Sequence, residues 1–66
     1  MRIDTPVRVI KSPYLHTPVG YEGVIVYVFP PGEFGEGPGL LYSIIFEDKR
    51  RVLFREHELE EIVDGG

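Results

Sequence analysis

The side chains of this 66-residue chain that could do chemistry are few and scattered. Histidine occurs only as His16 and His57, and the second lies between Glu56 and Glu58. Imidazole and carboxylate groups bind metals, so these residues could form a metal site if the first loop folded against the last turn. The two histidines are far apart in the sequence and match no metal motif. We therefore expect no metal and interpret both as loop or surface histidines.

Neighbouring carboxylates form a second group of candidates. The pairs Glu33 with Glu36 and Glu60 with Glu61 could act in acid–base catalysis only inside a concave, partly dry site that shifts a pKa. A chain this short fills its interior with side chains and leaves no such cavity. We therefore expect no catalytic residue and no cofactor. An enzyme would need a site built between the subunits of an oligomer, which stays an alternative.

A basic cluster near the end of the chain is the third candidate. Lys49, Arg50 and Arg51 are consecutive, and Arg55 follows them beside aromatic residues. Such a cluster could bind the phosphates of a nucleic acid, with an affinity that falls steeply with salt. The net charge of −4 disfavours this partner, because phosphate contacts supply most non-specific affinity. Nucleic-acid binding is therefore the alternative rather than the leading function.

The aromatic residues, four tyrosines and four phenylalanines, are too many for the interior of so small a domain. The predicted core consists of Phe54, Phe46, Tyr42 and Val26. A second set lies in loops or at strand ends, where a ring either covers the core or anchors another protein. These candidate protein-binding residues are Tyr14, Tyr21, Phe29 and Phe34.

Alternating apolar residues predict short strands, beginning with "PVRVIKSP" and its flanking prolines. The strongest strand signal is "GVIVYVF", which is apolar on both faces; strict alternation places Ile25, Tyr27 and Phe29 together on one of them. A strand of this kind is either central in a sandwiched sheet or part of a small barrel whose second face is covered by a loop or a partner. The third strand lies in "LLYSIIFED", and a tight turn at "EDKRR" joins it to "RVLFR" as a hairpin.

The remaining segments complete the predicted fold. "YLHTPVGYEG" and the Gly- and Pro-rich stretch from Phe29 to Gly39 are predicted as loops. The sequence "REHELEEIV" is predicted to form a 3-10 turn at Glu56 to Leu59 and a closing strand at Glu60 to Val63. Together these elements predict an all-β fold, a small five-stranded SH3-like barrel with a 3-10 turn before the last strand, as one domain over residues 1–66.

The composition indicates the cellular compartment of the protein and what stabilises it. No apolar run is long enough to cross a membrane, and the N-terminus lacks the apolar core of a signal peptide. The absence of cysteine excludes disulfides and thiolate-bound metals. We expect a cytoplasmic protein without a membrane partner, stabilised by good packing or by self-association.

Four stretches, "VRVI", "HTPVGYEGVIVYV", "LLYSIIFED" and "LFREHELEEI", carry a family resemblance. They resemble the SH3-like barrels of the electron-transport accessory class. That class includes the C-terminal barrel of the nitrile hydratase β subunit, the variable chain of ferredoxin–thioredoxin reductase and a small barrel subunit of photosystem I. The positions that match the nitrile hydratase barrel are Thr17, Pro18, Gly20, Gly23, Leu41, Tyr42 and Phe46. The stretch "GYEGVI" also resembles the KOW element of nucleic-acid-binding barrels, but lacks its basic residues.

The resemblance implies a partner rather than a catalyst. In the nitrile hydratase family the barrel packs on a subunit whose cysteine cluster holds the metal, and this chain has no cysteine. The leading prediction is a non-catalytic interaction or accessory-subunit module. It would dock on a larger protein, or on copies of itself, through its loop aromatics.

Overall fold

The fold is one antiparallel sheet of five strands, seen in a computed structural model that describes residues 1–32 and 39–63. The elements in chain order are β1 (Pro6–Val9), β2 (Glu22–Phe29), β3 (Leu41–Phe46), β4 (Arg51–Arg55), a 3-10 turn (Glu56–Glu58) and β5 (Leu59–Glu61). Across the sheet the strands run β4-β3-β2-β1-β5. The predicted all-β class is confirmed, including the 3-10 turn before the last strand. The turn ends at Glu58 and the strand spans Leu59–Glu61, whereas the predicted strand ran from Glu60 to Val63.

All five strands contribute to one hydrophobic core. Its members are Val7, Val9, Ile25, Tyr42, Ile44, Phe46, Val52, Phe54 and Leu59. Side chains from both edges of a single sheet meet only if the sheet curls around them, as it does in a small barrel. The alternation predicted for β1, β3 and β4 is confirmed, and so are Tyr42, Phe46 and Phe54 as core residues.

Strand β2 departs from the predicted alternation at Val26. The pairing with β3 shifts register there: Ile25 lies opposite Ile44, and the next paired residue, Tyr27, lies opposite Ser43. The extra residue of a β-bulge reverses the faces of everything that follows it. Ile25 is therefore buried in the core, whereas Tyr27 is 51% exposed. The predictions that Val26 belongs to the core and that Ile25 shares a face with Tyr27 are wrong for this reason.

The close approach of β2 and β3 depends on Gly23. This residue lies opposite Phe46, and a Cβ atom there would be 2.5 Å from the carbonyl oxygen of Ile45 and 3.0 Å from the Phe46 ring. Real Cβ atoms do not approach a backbone oxygen so closely. Gly23 is therefore required for space, whereas Gly20, at the end of the preceding loop, is required for its φ of 104°.

The loop between β1 and β2 is held by internal hydrogen bonds and by its contact with the core. The Ser12 hydroxyl lies 2.6 Å from the carbonyl oxygen of Thr17 and accepts the backbone N–H of Tyr14 at 3.0 Å. Thr17 is fully buried, and the Tyr14 ring packs edge-on against Phe54 at 5.3 Å between centroids. The loop therefore covers one end of the core.

The outer edge of β4 is partly occupied by side chains. The Tyr14 hydroxyl donates to the carbonyl oxygen of Leu53 at 2.8 Å, and the backbone N–H of Arg55 donates to Oε1 of Glu58 at 2.8 Å. β4 lies at the end of the sheet, where unpaired backbone groups otherwise invite another strand. These two bonds make the edge a poor template for strand addition.

Within the described residues, no helix is long and apolar enough to cross a membrane.

Candidate functional site

The candidate site is the outward-facing side of β2, β3 and β4, which we call the outer face. Its residues alternate with those of the core, and after the bulge in β2 they include Tyr27 and Phe29. The outer face consists of Val24, Val26, Tyr27, Phe29, Leu41, Ser43, Ile45, Arg51, Leu53 and Arg55. Seven of these ten are aliphatic or aromatic, and the two charged members, Arg51 and Arg55, lie on β4. Glu22, which begins β2, also faces outward but pairs with Arg8 on β1 and therefore belongs with the surface near that strand. An apolar outer face is unusual for an antiparallel sheet, whose solvent side normally carries polar residues.

Several residues of the outer face are partly shielded from solvent. Val24, Val26 and Leu53 are half-buried, yet they do not belong to the apolar residues that pack against the core. The rings of Tyr27 and Phe29 meet edge-on with 4.6 Å between their centroids. These two rings therefore shield each other in part, next to aliphatic residues that lie outside the core.

A shallow depression lies at the centre of the outer face. Its volume is about 410 Å³, and it is lined by Val26, Tyr27, Phe29, Ser43 and Arg51. Ser43 forms its floor because it is the smallest outward-facing residue of β3. Aromatic rings thus stand on the β2 side of the depression and an arginine stands on the β4 side.

The outward surface near β1 and β5 has a different character. Arg8 on β1 lies directly opposite Glu22 on β2 and Glu60 on β5. Its guanidinium donates to the first carboxylate at 2.9 Å and to the second at 3.1 Å, and these bonds raise the pKa of Arg8 above its ordinary value. This part of the surface is polar and internally paired. The outward apolar residues of the strands are therefore concentrated on β2, β3 and β4, while exposed apolar side chains such as Leu15 and Val19 lie in the first loop.

The predicted protein-binding residues do not form one patch. Tyr14 packs against Phe54 and stacks on His16, and burial raises the pKa of its hydroxyl. Tyr21 is 41% exposed, contacts Phe46 edge-on and lines a second depression of about 440 Å³. Phe29 lies on the outer face at the far end of β2, about 23 Å from Tyr21 along the strand. Phe34 lies outside the described residues.

The basic cluster is also divided by the structure. The Arg50 Nε donates to Asp48 at 2.6 Å, and its Nη2 donates to the backbone carbonyl of His16 at 3.1 Å. Arg50 therefore clamps the β3–β4 turn to the first loop, and its charge is already paired. Lys49 lies in the turn with a φ of 73°, whereas Arg51 and Arg55 belong to the outer face. The structure therefore separates Arg50, which is paired, from Arg51 and Arg55 on the outer face.

Several of the described carboxylates form ion pairs. The backbone N–H and guanidinium of Arg50 lower the pKa of Asp48, which suits an ion pair and not an acid or base that exchanges protons near neutral pH. Glu60 binds Arg8, and Glu61 lies 4.0 Å from the N-terminal amine. Glu33 and Glu36 lie outside the described residues.

The histidines occupy separate environments. The Nδ1 of His16 lies 2.8 Å from the Thr17 hydroxyl and 3.1 Å from Nη1 of Arg50. A guanidinium only donates hydrogen bonds, so this nitrogen is an acceptor. His57 is exposed on the 3-10 turn. Over residues 1–32 and 39–63 there is no group of three or more side chains suited to a metal ion.

Sequence reasoning missed Tyr27 as a surface anchor. The relevant signal was present, since "GVIVYVF" is apolar on both faces and cannot bury both in so small a domain. The face on which Tyr27 lies depended on the bulge at Val26, which follows from pairing with β3 and not from the local pattern.

Comparison with protein-family models, with curated proteins and with solved structures finds no match to this chain. Its function is therefore inferred from the geometry of the outer face.

Proposed function

We propose that this chain is a non-catalytic interaction module that binds another protein surface through the outer face. The observation that supports this most directly is the exposure of Tyr27, 51%, at the centre of an apolar layer spread over three strands. Aromatic residues in such a layer are efficient anchors, because they bury a large area with few rotatable bonds. The binding surface is thus a sheet face, where the sequence had suggested loop aromatics.

The charges around the outer face favour protein over nucleic acid as the partner. Arg51 and Arg55 lie at one side of an apolar surface, whereas Arg50 is already paired with Asp48. A nucleic-acid site needs a continuous basic track, and an apolar centre with a charged rim is typical of protein interfaces. The resemblance to accessory barrels, which pack on larger subunits, agrees with this role.

The mode of binding follows from the edges of the sheet. Tyr14 and Glu58 occupy backbone groups at the β4 edge, which disfavours the addition of a partner strand there. Face-to-face packing needs no free backbone groups. Binding should therefore depend on side chains of the outer face.

The test compares two tyrosines of similar exposure. The tagged chain is purified under native conditions as wild type, as Tyr27→Ala and as Tyr21→Ala, and retained proteins, including untagged copies of the chain, are identified. A retained protein is then purified, and its binding to all three forms is measured by calorimetry. We expect Tyr27→Ala to weaken binding about tenfold or more and Tyr21→Ala to leave it within about twofold. Equal binding by all three forms would refute the outer face as the docking surface.

A further inference from the structure

The outer face carries aromatic residues on one side of β3 and an arginine on the other. Tyr27 and Phe29 project from β2, Arg51 projects from β4, and Ser43 lies between them on β3. Arginine and aromatic rings attract each other through cation–π contacts and stacking. A surface that carries both partners of such a contact, one on each side of its midline, is complementary to a copy of itself.

We infer that the occupant of the outer face is a second copy of this chain, related by a two-fold axis that runs along β3. This inference rests on the proposed function of the outer face. Such an axis places β4 of one copy over β2 of the other. Arg51 is level with Ile45 and Tyr27 is level with Ser43, so each Arg51 lies over Val24 of the second copy. Its long side chain can reach the Tyr27 ring of that copy, roughly 7 Å farther along the strand, and the contact occurs twice, as a two-fold interface requires.

The positions of the arginines favour this axis over a two-fold axis perpendicular to the strands. Strands in a sheet are about 4.8 Å apart. The Arg51 residues of the two copies therefore lie on opposite sides of the two-fold axis, roughly 10 Å from each other. An axis perpendicular to the strands would instead place β4 over β4, with arginine against arginine. Among the described residues Arg51 has no ion-pair or hydrogen-bond partner, so its guanidinium is available to the second copy.

The shape of the outer face also suits this arrangement. Ser43 forms the floor of the central depression and lies next to the axis, where two sheets approach most closely. Leu53 lies opposite Ser43 on β4, and the axis places it over the β2 side of the second copy, near Tyr27. The exposed ring of Tyr27 would thus be covered by an aliphatic side chain and by a guanidinium.

The size of the outer face sets the expected affinity of self-association. From strand spacing and rise, it measures roughly 15 by 17 Å, or about 250 Å² on each copy, which is well below the roughly 800 Å² per partner of a standard protein interface. Association should therefore be weak, in the micromolar range, and depend on concentration. The experiment must extend to high protein concentration.

The test uses sedimentation equilibrium of the wild type and four variants, with folding checked by circular dichroism. Tyr27→Ala and Arg51→Ala should each weaken dimerisation about tenfold, whereas the matched controls Tyr21→Ala and Arg2→Ala should leave it within about twofold. A mixture of Tyr27→Ala with Arg51→Ala is the decisive sample. The mixed dimer keeps one intact Arg51–Tyr27 contact, which neither variant alone can form, so the mixture should associate more tightly than either variant.

Three results would overturn the inference. A wild-type chain that stays monomeric to about 1 mM would exclude the second copy; the proposed function would survive if a foreign partner still depended on Tyr27. If neither Tyr27→Ala nor Arg51→Ala changed the dimerisation affinity, self-association would have to use another surface. Weakening by both variants without recovery in their mixture would exclude the axis along β3.

Discussion

The hydroxyl of Tyr14 donates a hydrogen bond to the backbone carbonyl of Leu53, at 2.8 Å, and so joins the first loop to the edge strand β4. The same ring packs edge-on against Phe54. Tyr14 therefore fastens the first loop both to the core and to the edge of the sheet, which should stabilise the fold.

The first prediction concerns that hydrogen bond. Tyr14→Phe keeps the ring but removes the donor, so we expect the free energy of unfolding to fall by about 0.5–1.5 kcal/mol. Urea unfolding followed by circular dichroism measures the change. The control is Tyr21→Phe, because the Tyr21 hydroxyl has no hydrogen-bond partner among the described residues; it should change stability by less than about 0.5 kcal/mol. Equal effects of the two variants would contradict the role of the Tyr14 hydroxyl.

The second prediction concerns the space at Gly23. An alanine Cβ there would meet the Ile45 carbonyl oxygen and the Ile44 side chain, so β2 and β3 would have to separate. We expect Gly23→Ala to cost about 2 kcal/mol or more in urea unfolding. Gly20→Ala meets no atom within 4 Å, so its cost is limited to backbone strain of about 1 kcal/mol. A smaller loss for Gly23→Ala than for Gly20→Ala would show that the strands do not approach as closely as described.

The third prediction concerns the β3–β4 turn. Lys49 has a φ of 73°, a conformation that costs a residue with a Cβ about 1 kcal/mol and costs glycine little. Lys49→Gly should therefore raise the free energy of unfolding by up to about 1 kcal/mol, visible as a higher urea midpoint. Asp4, with a φ of 76°, is the comparison, and Asp4→Gly should gain less because aspartate tolerates this region better. A lower urea midpoint for Lys49→Gly than for the wild type would contradict the positive φ of Lys49.

The fourth prediction concerns acid stability. Hydrogen bonds from the backbone and guanidinium of Arg50 lower the pKa of Asp48 in the folded state. The ionised carboxylate therefore stabilises the fold above its unfolded pKa of about 3.9, and this contribution is lost as the pH falls below that value toward the folded pKa.

Unfolding free energies measured between about pH 2 and pH 6 test this dependence. Asp48→Asn should flatten the loss of stability on the acid side, whereas Glu47→Gln, next to it on the same turn, should leave the curve parallel to that of the wild type. Parallel curves for all three forms would mean that the Asp48–Arg50 pair does not contribute in solution.

Much of the fold could be predicted from local pattern. The alternation of Val7 with Val9 and of Val52 with Phe54 identifies the buried faces of β1 and β4, because each faces the core through a regular strand. The 3-10 turn before the last strand follows from a polar segment too short for a stable helix. These features depend on residues adjacent in sequence, and the structure confirms them.

Other features required contacts between distant residues. Arg50 belongs to a basic run in the sequence, yet its pairing with Asp48 and with the His16 carbonyl makes it a clamp between turn and loop. Tyr14 lies in a loop, as predicted, yet its ring packs on Phe54 and its hydroxyl binds the edge strand β4 at Leu53. Neither assignment follows from the residues beside them.

The sequence by itself determined that this chain is a small all-β domain with more apolar strand surface than one core can bury. The tertiary structure alone decided which surface remains uncovered. Because of the bulge at Val26, Ile25 and Tyr27 face opposite sides of the sheet, with Ile25 in the core and Tyr27 on the outer face. The position of the bulge depends on the register of β2 against β3. Strand periodicity is local, whereas register is set by pairing across the sheet, so only the folded chain places Tyr27 and Arg51 around the same depression on opposite sides of β3.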